Sequence, residues 1–248
     1  AVAVGLGGGR KLLERRADET WARCQREGTL RVGMDASYPP FGIEEGGVFW
    51  GYDVDLAQEI GRRLGMRVVF VNIHFDGLYD ALQAGRCDVL ISALPYDSQR
   101  TRDVIFTGGY FDAGPVVIVR RDDRRIQAYT DLQDCRVAVE MGSQAHQEVR
   151  LLRDRRRIAL TIEAVRTSDE AFDLLQAGQA DAVVADTVTA RAAVRARPEL
   201  AIRGAPLASE PFVMATRQDS PQLYAAVNGA LIALHEEGWL ATLAERWL

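Results

Sequence analysis

The sequence predicts a mixed α/β fold of two lobes with a cleft between them, on three observations. From Leu30 onward, short β-rich runs alternate with helical patterns, which is typical of a mainly parallel sheet covered on both faces. The segment 79–92 (YDALQAGRCDVLIS) recurs as 172–185 (FDLLQAGQADAVVA), with six identities in 14 positions. Two apolar segments, 114–119 (GPVVIV) and 211–215 (PFVMA), are suited to cross between the lobes as hinge strands.

Composition sets the class of protein before any element is assigned. The chain has 248 residues, 48% of them hydrophobic and 26% charged, with a net charge of −5. This balance is typical of a folded globular protein of one or two domains. No apolar run reaches the length of about 18 residues that would predict a membrane span, and the acidic charge argues against nucleic acid as a partner. Lys11 is the one lysine, so a positive contact to a ligand must come from arginine.

The first element predicted is an amphipathic helix over residues 10–26. Its apolar stripe at helical spacing consists of Leu13, Ala17, Trp21 and Cys24. Residues 1–9 (AVAVGLGGG), followed by a basic pair, are consistent with the trimmed end of an export or anchor segment. We therefore set residues 1–27 apart as an N-terminal tail and helix.

Lobe 1 is predicted over 28–115 and 211–248, and lobe 2 over 116–210. In lobe 1, Asp53 is predicted to cap the first helix and Gly65 to end it. Lobe 2 repeats the alternation of strand and helix after Val119. The tail from Ser220 and Pro221, a fitting N-cap and N1 pair, is predicted to be helical and to pack on lobe 1.

Catalytic and metal-binding motifs are missing from the sequence. It contains no GxSxG, HExxH, Walker or strand-linked GxGxxG motif, and its three histidines have no ligand spacing. The odd set Cys24, Cys87 and Cys135 is interpreted as buried small apolar residues. We predict no metal, no cofactor and no catalytic residue. Ligands of open α/β sheets bind beyond the carboxyl ends of strands, here 92–94 and 185–186.

Six stretches in order carry a family resemblance: 28–41 (GTLRVGMDASYPPF), 51–65, 75–100 (FDGLYDALQAGRCDVLISALPYDSQR), 137–145, 179–187 and 236–248. Together they resemble the extracellular solute-binding proteins of family 3, the amino-acid receptors of ABC importers. The resemblance implies the type II periplasmic binding protein fold, in which two α/β lobes joined by two strands close on one ligand. It also implies a permease as partner and a periplasmic or extracellular location, while membrane anchoring through a removed N-terminal segment stays open. We expect the chain to be a monomer.

The resemblance also assigns site residues. Arg100 matches the family arginine that binds the ligand carboxylate, for which a guanidinium offers paired donors. The N–H groups of Gly142, Ser143 and Gln144, at a helix start, would assist. Asp186 matches the aspartate that binds the ligand ammonium, although it could instead cap the following helix. The aromatic walls are matched by Tyr38 and Phe75, which could instead belong to the core.

Three positions depart from the family pattern. Pro95 replaces a hydroxyl residue that binds the ammonium, so the ligand is either an amino acid held by Asp186 and the carbonyls near Ser92, Ala93 and Leu94, or a molecule without an α-amino group. Ala93 replaces a glycine or serine and keeps its backbone groups. Glu140 replaces a lysine or apolar residue, and with Asp35 it would favour a basic side chain such as that of arginine, lysine or ornithine. The alternative for Glu140 is a solvent-facing side chain.

The predicted function is that of a binding protein that captures a polar amino acid, with a basic one as a specific hypothesis. Two alternatives stay open. One is an enzyme resembling cyclohexadienyl dehydratase, in which Glu140 or Asp186 would serve as the general acid. The other is a sensor domain that binds a carboxylate ligand.

Overall fold

A computed structural model describes residues 18–248 and shows two five-stranded sheets with helices packed on them. Helix α1 (Glu19–Glu27) begins at Asp18, whose side chain accepts the N–H of Trp21, and it ends at Gly28, where φ is 61°. Cys24 is buried against lobe 1. The predicted helix over 10–26 is thus described only in its second half, and the tail 1–9, Leu13 and Ala17 lie outside the described residues.

Lobe 1 is built from both ends of the chain. Its N-terminal elements are β1 (Thr29–Met34), β2 (Ser37–Tyr38), β3 (Gly42–Glu45), β4 (Val48–Trp50), α2 (Tyr52–Arg63), β5 (Arg67–Asn72), α3 (Leu78–Gln83), β6 (Val89–Pro95) and β7 (Val104–Asp112). Lobe 2 follows with β8 (Pro115–Arg120), β9 (Arg136–Glu140), α4 (Gln144–Asp154), β10 (Thr161–Val165), α5 (Ser168–Gln176), β11 (Ala182–Asp186), α6 (Thr187–Ala196) and β12 (Leu200–Arg203). The chain returns to lobe 1 as β13 (Pro211–Arg217), α7 (Pro221–Glu236) and α8 (Trp239–Trp247).

The two sheets have the same arrangement. The lobe 1 sheet has the order β5-β1-β6-β13-β7, with β1 parallel to β5 and β6, and β13 antiparallel to its neighbours. The lobe 2 sheet has the order β10-β9-β11-β8-β12, with β9 parallel to β10 and β11, and β8 antiparallel. The repeated segments 79–92 and 172–185 run from α3 into β6 and from α5 into β11, so they occupy equivalent places. The β2–β4 sheet is separate from both.

The C-terminal helices pack on lobe 1, as predicted. Leu223 and Val227 of α7 and Leu243 of α8 share one apolar core with Val32 of β1 and Leu56 of α2. Lobe 2 has two apolar clusters, which are built on the strands of its own sheet. Each lobe therefore has its own core, while the domain boundaries stay a prediction. Cys24, Cys87 and Cys135 are free and buried, which confirms their interpretation as small apolar residues.

Two local predictions were wrong. Asp53 does not cap α2, because Gly51 takes that position and Asp53 lies in the first turn, only 1% exposed. The two apolar hinge segments are inner strands of the sheets, β8 and β13, and the crossings lie just before them, at 113–114 and 204–210. The crossings are joined by hydrogen bonds, among them the N–H of Ala113 to the carbonyl of Glu210 at 3.0 Å. Gly114 is required there, since a Cβ would lie 1.9 Å from the carbonyl oxygen of Ala208.

Candidate functional site

A cavity of about 340 Å³ opens at the carboxyl ends of β1 and β6, and we call it the cleft cavity. Six residues predicted from the sequence line it: Asp35, Tyr38, Phe75, Ser92, Ala93 and Pro95. Ser37 and Phe212 also line it and were missed. Phe212 comes from β13, where it pairs with Pro95 and Phe111, and the PFVMA segment was the one signal of its position. The cavity therefore lies where the ends of parallel strands meet.

At the base of the cleft cavity, the end of β6 has a strained backbone conformation. Ala93 has a φ of 43°, in the left-handed region that favours glycine. Its N–H donates to Oδ2 of Asp53 at 2.6 Å, and Oγ of Ser92 accepts the N–H of Asp35 at 2.9 Å. These two hydrogen bonds fix the end of β6 relative to α2 and β1.

Asp53 is a buried carboxyl group directly behind this strand end. Its Oδ1 has no hydrogen-bond partner among the described residues, and neither does the hydroxyl of Tyr110 beside it. Burial raises the pKa of Asp53 to about 7, and the hydrogen bond from the N–H of Ala93 offsets only part of this rise. No sequence pattern indicated this role, because the residue looked like an N-cap.

Asp35 places a negative charge on the wall of the cleft cavity. Its Oδ1 accepts the N–H and the hydroxyl of Ser37, at 3.0 and 2.6 Å, and its Oδ2 accepts the N–H of Phe75 at 2.7 Å. Burial alone would raise the pKa of Asp35, but these hydrogen bonds outweigh it and lower the pKa overall. Asp35 is therefore an anion that also fixes the turn carrying Phe75.

Two aromatic side chains form walls of the cleft cavity. Tyr38 is 47% exposed and Phe75 is 44% exposed, both high for large apolar groups. Tyr38 stacks on Phe41 with a centroid distance of 5.7 Å and an angle of 11° between the rings. Both rings line a cavity and neither belongs to the buried core.

A second space of about 610 Å³, the interlobe pocket, lies where Tyr38 and the following prolines face lobe 2. Asp186 lines it from the end of β11, and Oδ1 of this residue accepts the N–H of Thr189 at 2.9 Å. Its capping of α6 is therefore confirmed, while its ligand role stays a prediction. Burial, the charge of Asp186 and then that of Asp53 raise the pKa of Tyr38. Tyr38 thus lines both spaces.

Arg100 and Leu94 do not line either space. The guanidinium of Arg100 lies 4.8 Å from the ring centroid of Tyr79, and Nε is 4.0 Å from Oδ2 of Asp97. Leu94 is 1% exposed and packs with Leu78 in the core of lobe 1. The side chain of Leu94 is used for packing, and the predicted contact of its carbonyl with a ligand stays a prediction.

Glu140 and the start of α4 are engaged within lobe 2. Oε2 of Glu140 accepts the N–H and the hydroxyl of Ser168, at 3.1 and 2.7 Å, so Glu140 binds the first residue of α5. Ser143 caps α4 by accepting the N–H of His146, and the N–H of Gly142 donates to Nδ1 of the same histidine at 3.1 Å. Glu140 and Asp35 are each bonded inside their own lobe, and their joint preference for a basic ligand side chain stays a prediction. Gln144 is the first residue of α4 and is half-buried.

Two further observations concern residues 18–248. Within this range no group of three or more histidine, cysteine or acidic side chains is arranged to hold a metal ion. No helix in the same range is both long and apolar enough to cross a membrane.

The sequence profile of the bacterial extracellular solute-binding proteins, family 3, matches residues 30–248. The chain belongs to this family. A curated relative is the L-cystine-binding protein TcyJ of Escherichia coli K12, which is 26% identical over 233 residues, covering 91% of this chain and 84% of TcyJ. The type II periplasmic binding protein fold predicted from the sequence is thereby confirmed, since family membership and the two-sheet topology agree.

Two solved structures are similar to this family 3 chain. An ancestral cationic amino acid solute-binding protein, AncCDT-1, is 32% identical with a TM-score of 0.68, covering 92% of this chain and 99% of that one. A point variant of an ancestral cyclohexadienyl dehydratase, AncCDT-3, is 26% identical with a TM-score of 0.78, covering 91% and 94%. One fold thus carries a binding protein and an enzyme.

Proposed function

We propose that the chain captures a cationic amino acid between its lobes, outside the cytoplasm, and delivers it to the permease of an ABC importer. One observation carries the choice of ligand. Asp35 of lobe 1 and Asp186 of lobe 2 line adjoining spaces, and neither has an arginine partner among the described residues. A ligand with an ammonium group and a cationic side chain would neutralise both carboxylates.

The roles follow from this placement. Asp186 would bind the α-ammonium, because Pro95 has no hydroxyl to do so. Asp35 would face the cationic side chain between the rings of Tyr38 and Phe75, where a cation also gains from the aromatic faces. Arg100 would leave the ring of Tyr79 and bind the α-carboxylate. The similarity to the ancestral cationic amino acid protein supports this ligand class.

The test is calorimetry with arginine, lysine and ornithine against citrulline, cystine, glutamine and glutamate. Citrulline has the shape of arginine without its charge, so its affinity is expected to be about ten- to a hundred-fold lower. A thermal-shift screen of the twenty amino acids provides a first ranking, since a bound ligand stabilises the folded state. Equal affinities for arginine and citrulline would refute the cationic ligand, and no binding of any amino acid would refute the proposed function.

Single substitutions distinguish the proposed roles of Asp186 and Asp35. Asp186→Asn keeps an oxygen to cap α6 and loses the charge, so affinity for every α-amino acid is expected to fall about ten- to a hundred-fold. Asp35→Asn is expected to reduce the preference for arginine over citrulline. Asp169→Asn is the matched control, because Asp169 lines the interlobe pocket but pairs with Arg197 at 3.0 Å. Unchanged arginine binding by Glu140→Gln would rule out a contact between Glu140 and the cationic side chain.

The enzyme is the second candidate function. The similarity to the ancestral dehydratase favours it. Asp186, which lines the interlobe pocket, would then be a candidate general acid. Incubation with prephenate or arogenate would yield phenylpyruvate or phenylalanine if the chain were such an enzyme, and unchanged substrate would exclude this activity.

A further inference from the structure

A cavity of about 590 Å³, which we call the hinge groove, lies behind the segments that join the lobes. Lobe 1 contributes Tyr110, Phe111 and the start of α8, and lobe 2 contributes Ile202 and Arg191. None of the predicted ligand-binding residues lines this groove. Its volume lies within the range of about 300 to 1,000 Å³ that is usual for small-molecule sites.

The hinge groove and the interlobe pocket lie on different faces of α6. Asp186 and Thr189 line the interlobe pocket, whereas Thr187 and Arg191 line the hinge groove. On lobe 1, the groove follows the edge strand β7, whereas the cleft cavity lies at the ends of β1 and β6. The two spaces are therefore separated by the hinge, and we expect closure of the cleft to move the walls of the groove apart.

Arg191 is the side chain that gives the groove a ligand preference. It is half-buried, and it forms no hydrogen bond or ion pair with the other described residues. Burial and Asp53 raise the pKa of Tyr52, and the charge of Arg191 opposes this rise, so the guanidinium acts on the interior of lobe 1. A half-buried guanidinium without a partner favours an anion, and a carboxylate can accept two of its hydrogen bonds.

Two other polar side chains of the groove, Asp112 and His235, are already engaged, and the unpartnered hydroxyl of Tyr110 is buried beside Asp53. Asp112 accepts the N–H groups of Gly114 and Glu210 and the hydroxyl of Ser209. His235 forms a hydrogen bond through Nε2 with the carbonyl of Gly109 at 3.0 Å. The remaining walls are aromatic or aliphatic, and they suit a flat apolar group.

We propose that the hinge groove is a second ligand site for a small aromatic carboxylate, which pairs with Arg191 and favours closure of the lobes. An occupant of the groove holds its walls apart and therefore stabilises the closed cleft. The site itself is independent of the proposed function, whereas its effect on amino-acid affinity rests on that function.

The test uses phenylacetate as the probe, titrated by NMR into the ¹⁵N-labelled chain. Wild type is expected to bind with a dissociation constant of about 0.1 to 1 mM, while acetate and 2-phenylethylamine bind at least about tenfold more weakly. Arg191→Met is expected to weaken phenylacetate binding at least about tenfold. Arg195→Met, one turn further along α6 and exposed, removes the same charge and is expected to have no effect. Equal binding by the two variants would overturn the proposal.

A second variant tests the groove without removing charge. Ala241 is exposed and lines the groove, so Ala241→Trp fills it and should abolish phenylacetate binding. Thr242→Trp is the matched control, since Thr242 is exposed but does not line the groove. Retained binding in Ala241→Trp, or a loss caused by Arg100→Met instead, would place the probe elsewhere and overturn the site.

Coupling is measured by titrating arginine with and without saturating phenylacetate. Arginine affinity is expected to rise at least about threefold, and by linkage arginine should strengthen phenylacetate binding by the same factor. Competition between them, or unchanged affinity, would overturn the coupling. If arginine binds under neither condition, the proposed function fails, while the titrations with Arg191→Met and Ala241→Trp still decide the site.

Discussion

In each lobe an aspartate exchanges two hydrogen bonds with an arginine of the adjacent strand, and the two aspartates are buried to very different extents. Asp88, just before β6, accepts the N–H of Arg31 at 2.8 Å, and its own N–H donates to the Arg31 carbonyl. Asp181, just before β11, has the same two bonds with Arg136. The Asp88 side chain is fully buried because α1 covers it with Arg23, whereas that of Asp181 is 23% exposed. The two aspartate–arginine pairs thus differ mainly in whether a helix covers the aspartate.

The largest predicted effect compares Asp88→Asn with Asp181→Asn. Asparagine keeps an oxygen for the backbone N–H but loses the charge. Removing one partner of a buried ion pair typically costs about 3 to 5 kcal/mol, so Asp88→Asn should lower the free energy of unfolding by that amount. Asp181→Asn should cost about 0 to 1 kcal/mol, because exposed pairs contribute little. Urea denaturation measures both, and similar losses in the two variants would show that burial by α1 is unimportant.

Ionisation of Asp88 makes the stability of the folded state depend on pH in acid. Burial alone would raise the pKa of Asp88, but the hydrogen bonds of Arg31 and the charge of Arg23 lower it overall. A lowered pKa stabilises the folded state above the unfolded value of about 3.9, and this stabilisation is lost as the pH falls through the folded-state pKa. Asp88→Asn should therefore flatten the fall of stability in acid.

The second prediction concerns Asp53, a buried carboxyl group of lobe 1 that has no counterpart at the equivalent position of lobe 2. Asp53 is the second residue of α2, and the second residue of α4 is the buried Ala145. Because the pKa of Asp53 is raised to about 7, the folded state holds a proton that the unfolded state releases near pH 3.9. Stability should therefore decrease between about pH 4 and 7, with a slope of up to about 1.4 kcal/mol per pH unit.

Asp53→Asn removes this titration, so unfolding measured across that pH range should lose the decreasing component. Asp80→Asn, which removes an exposed carboxylate of α3, should keep it and serves as the control. An unchanged pH profile in Asp53→Asn would mean that Asp53 is ionised in the folded state at acid pH.

Much of the lobe architecture could be predicted from the sequence because it rests on local patterns. In the repeated segments that contain Leu82 and Leu175, apolar residues recur at helical spacing, and a glycine and then a strand follow. Asp35 and Ser92 were found at the cavity because both follow parallel strands, whose carboxyl ends meet at one edge. Phe212 was missed because its position depends on the pairing of β13 with β6, which has a register shift after Val213.

Other site features could not be predicted for different physical reasons. The side chain of Arg100 is long and exposed, so its direction depends on Tyr79 and Asp97 rather than on its position in a motif. The charge of Asp53 suggested a helix cap, and only the packing of α2 under Ala93 shows a buried group. The hydrogen bonds of Glu140 could not be foreseen, because its partner Ser168 lies 28 residues further along the chain.

The third prediction compares the backbone at the ends of β6 and β9. Gly142 of lobe 2 has a φ of 82°, and a Cβ added there would have nothing within 4 Å, so Gly142→Ala tests backbone strain alone. It should lower the free energy of unfolding by about 1 kcal/mol. Ala93→Gly relieves the strain at φ 43° but adds freedom to the unfolded chain, so it should change stability by less than about 0.5 kcal/mol. Thermal unfolding measures both, and a larger loss in Ala93→Gly would contradict the strain at that position.

The smallest effect concerns thiol reactivity in the two lobes. Burial raises the pKa of Cys24 to about 12 and that of Cys87 to about 11, so both lobe 1 thiols are protonated at pH 8. Cys135 of lobe 2, whose pKa burial also raises, is 7% exposed and lies just before β9, whereas the other two are fully buried. Iodoacetamide labelling followed by peptide mass spectrometry should therefore modify Cys135 first. Because Cys24 and Cys87 become accessible only when lobe 1 opens, Asp88→Asn should accelerate their labelling more than that of Cys135. Equal acceleration at all three thiols would show that the lobes unfold as one unit.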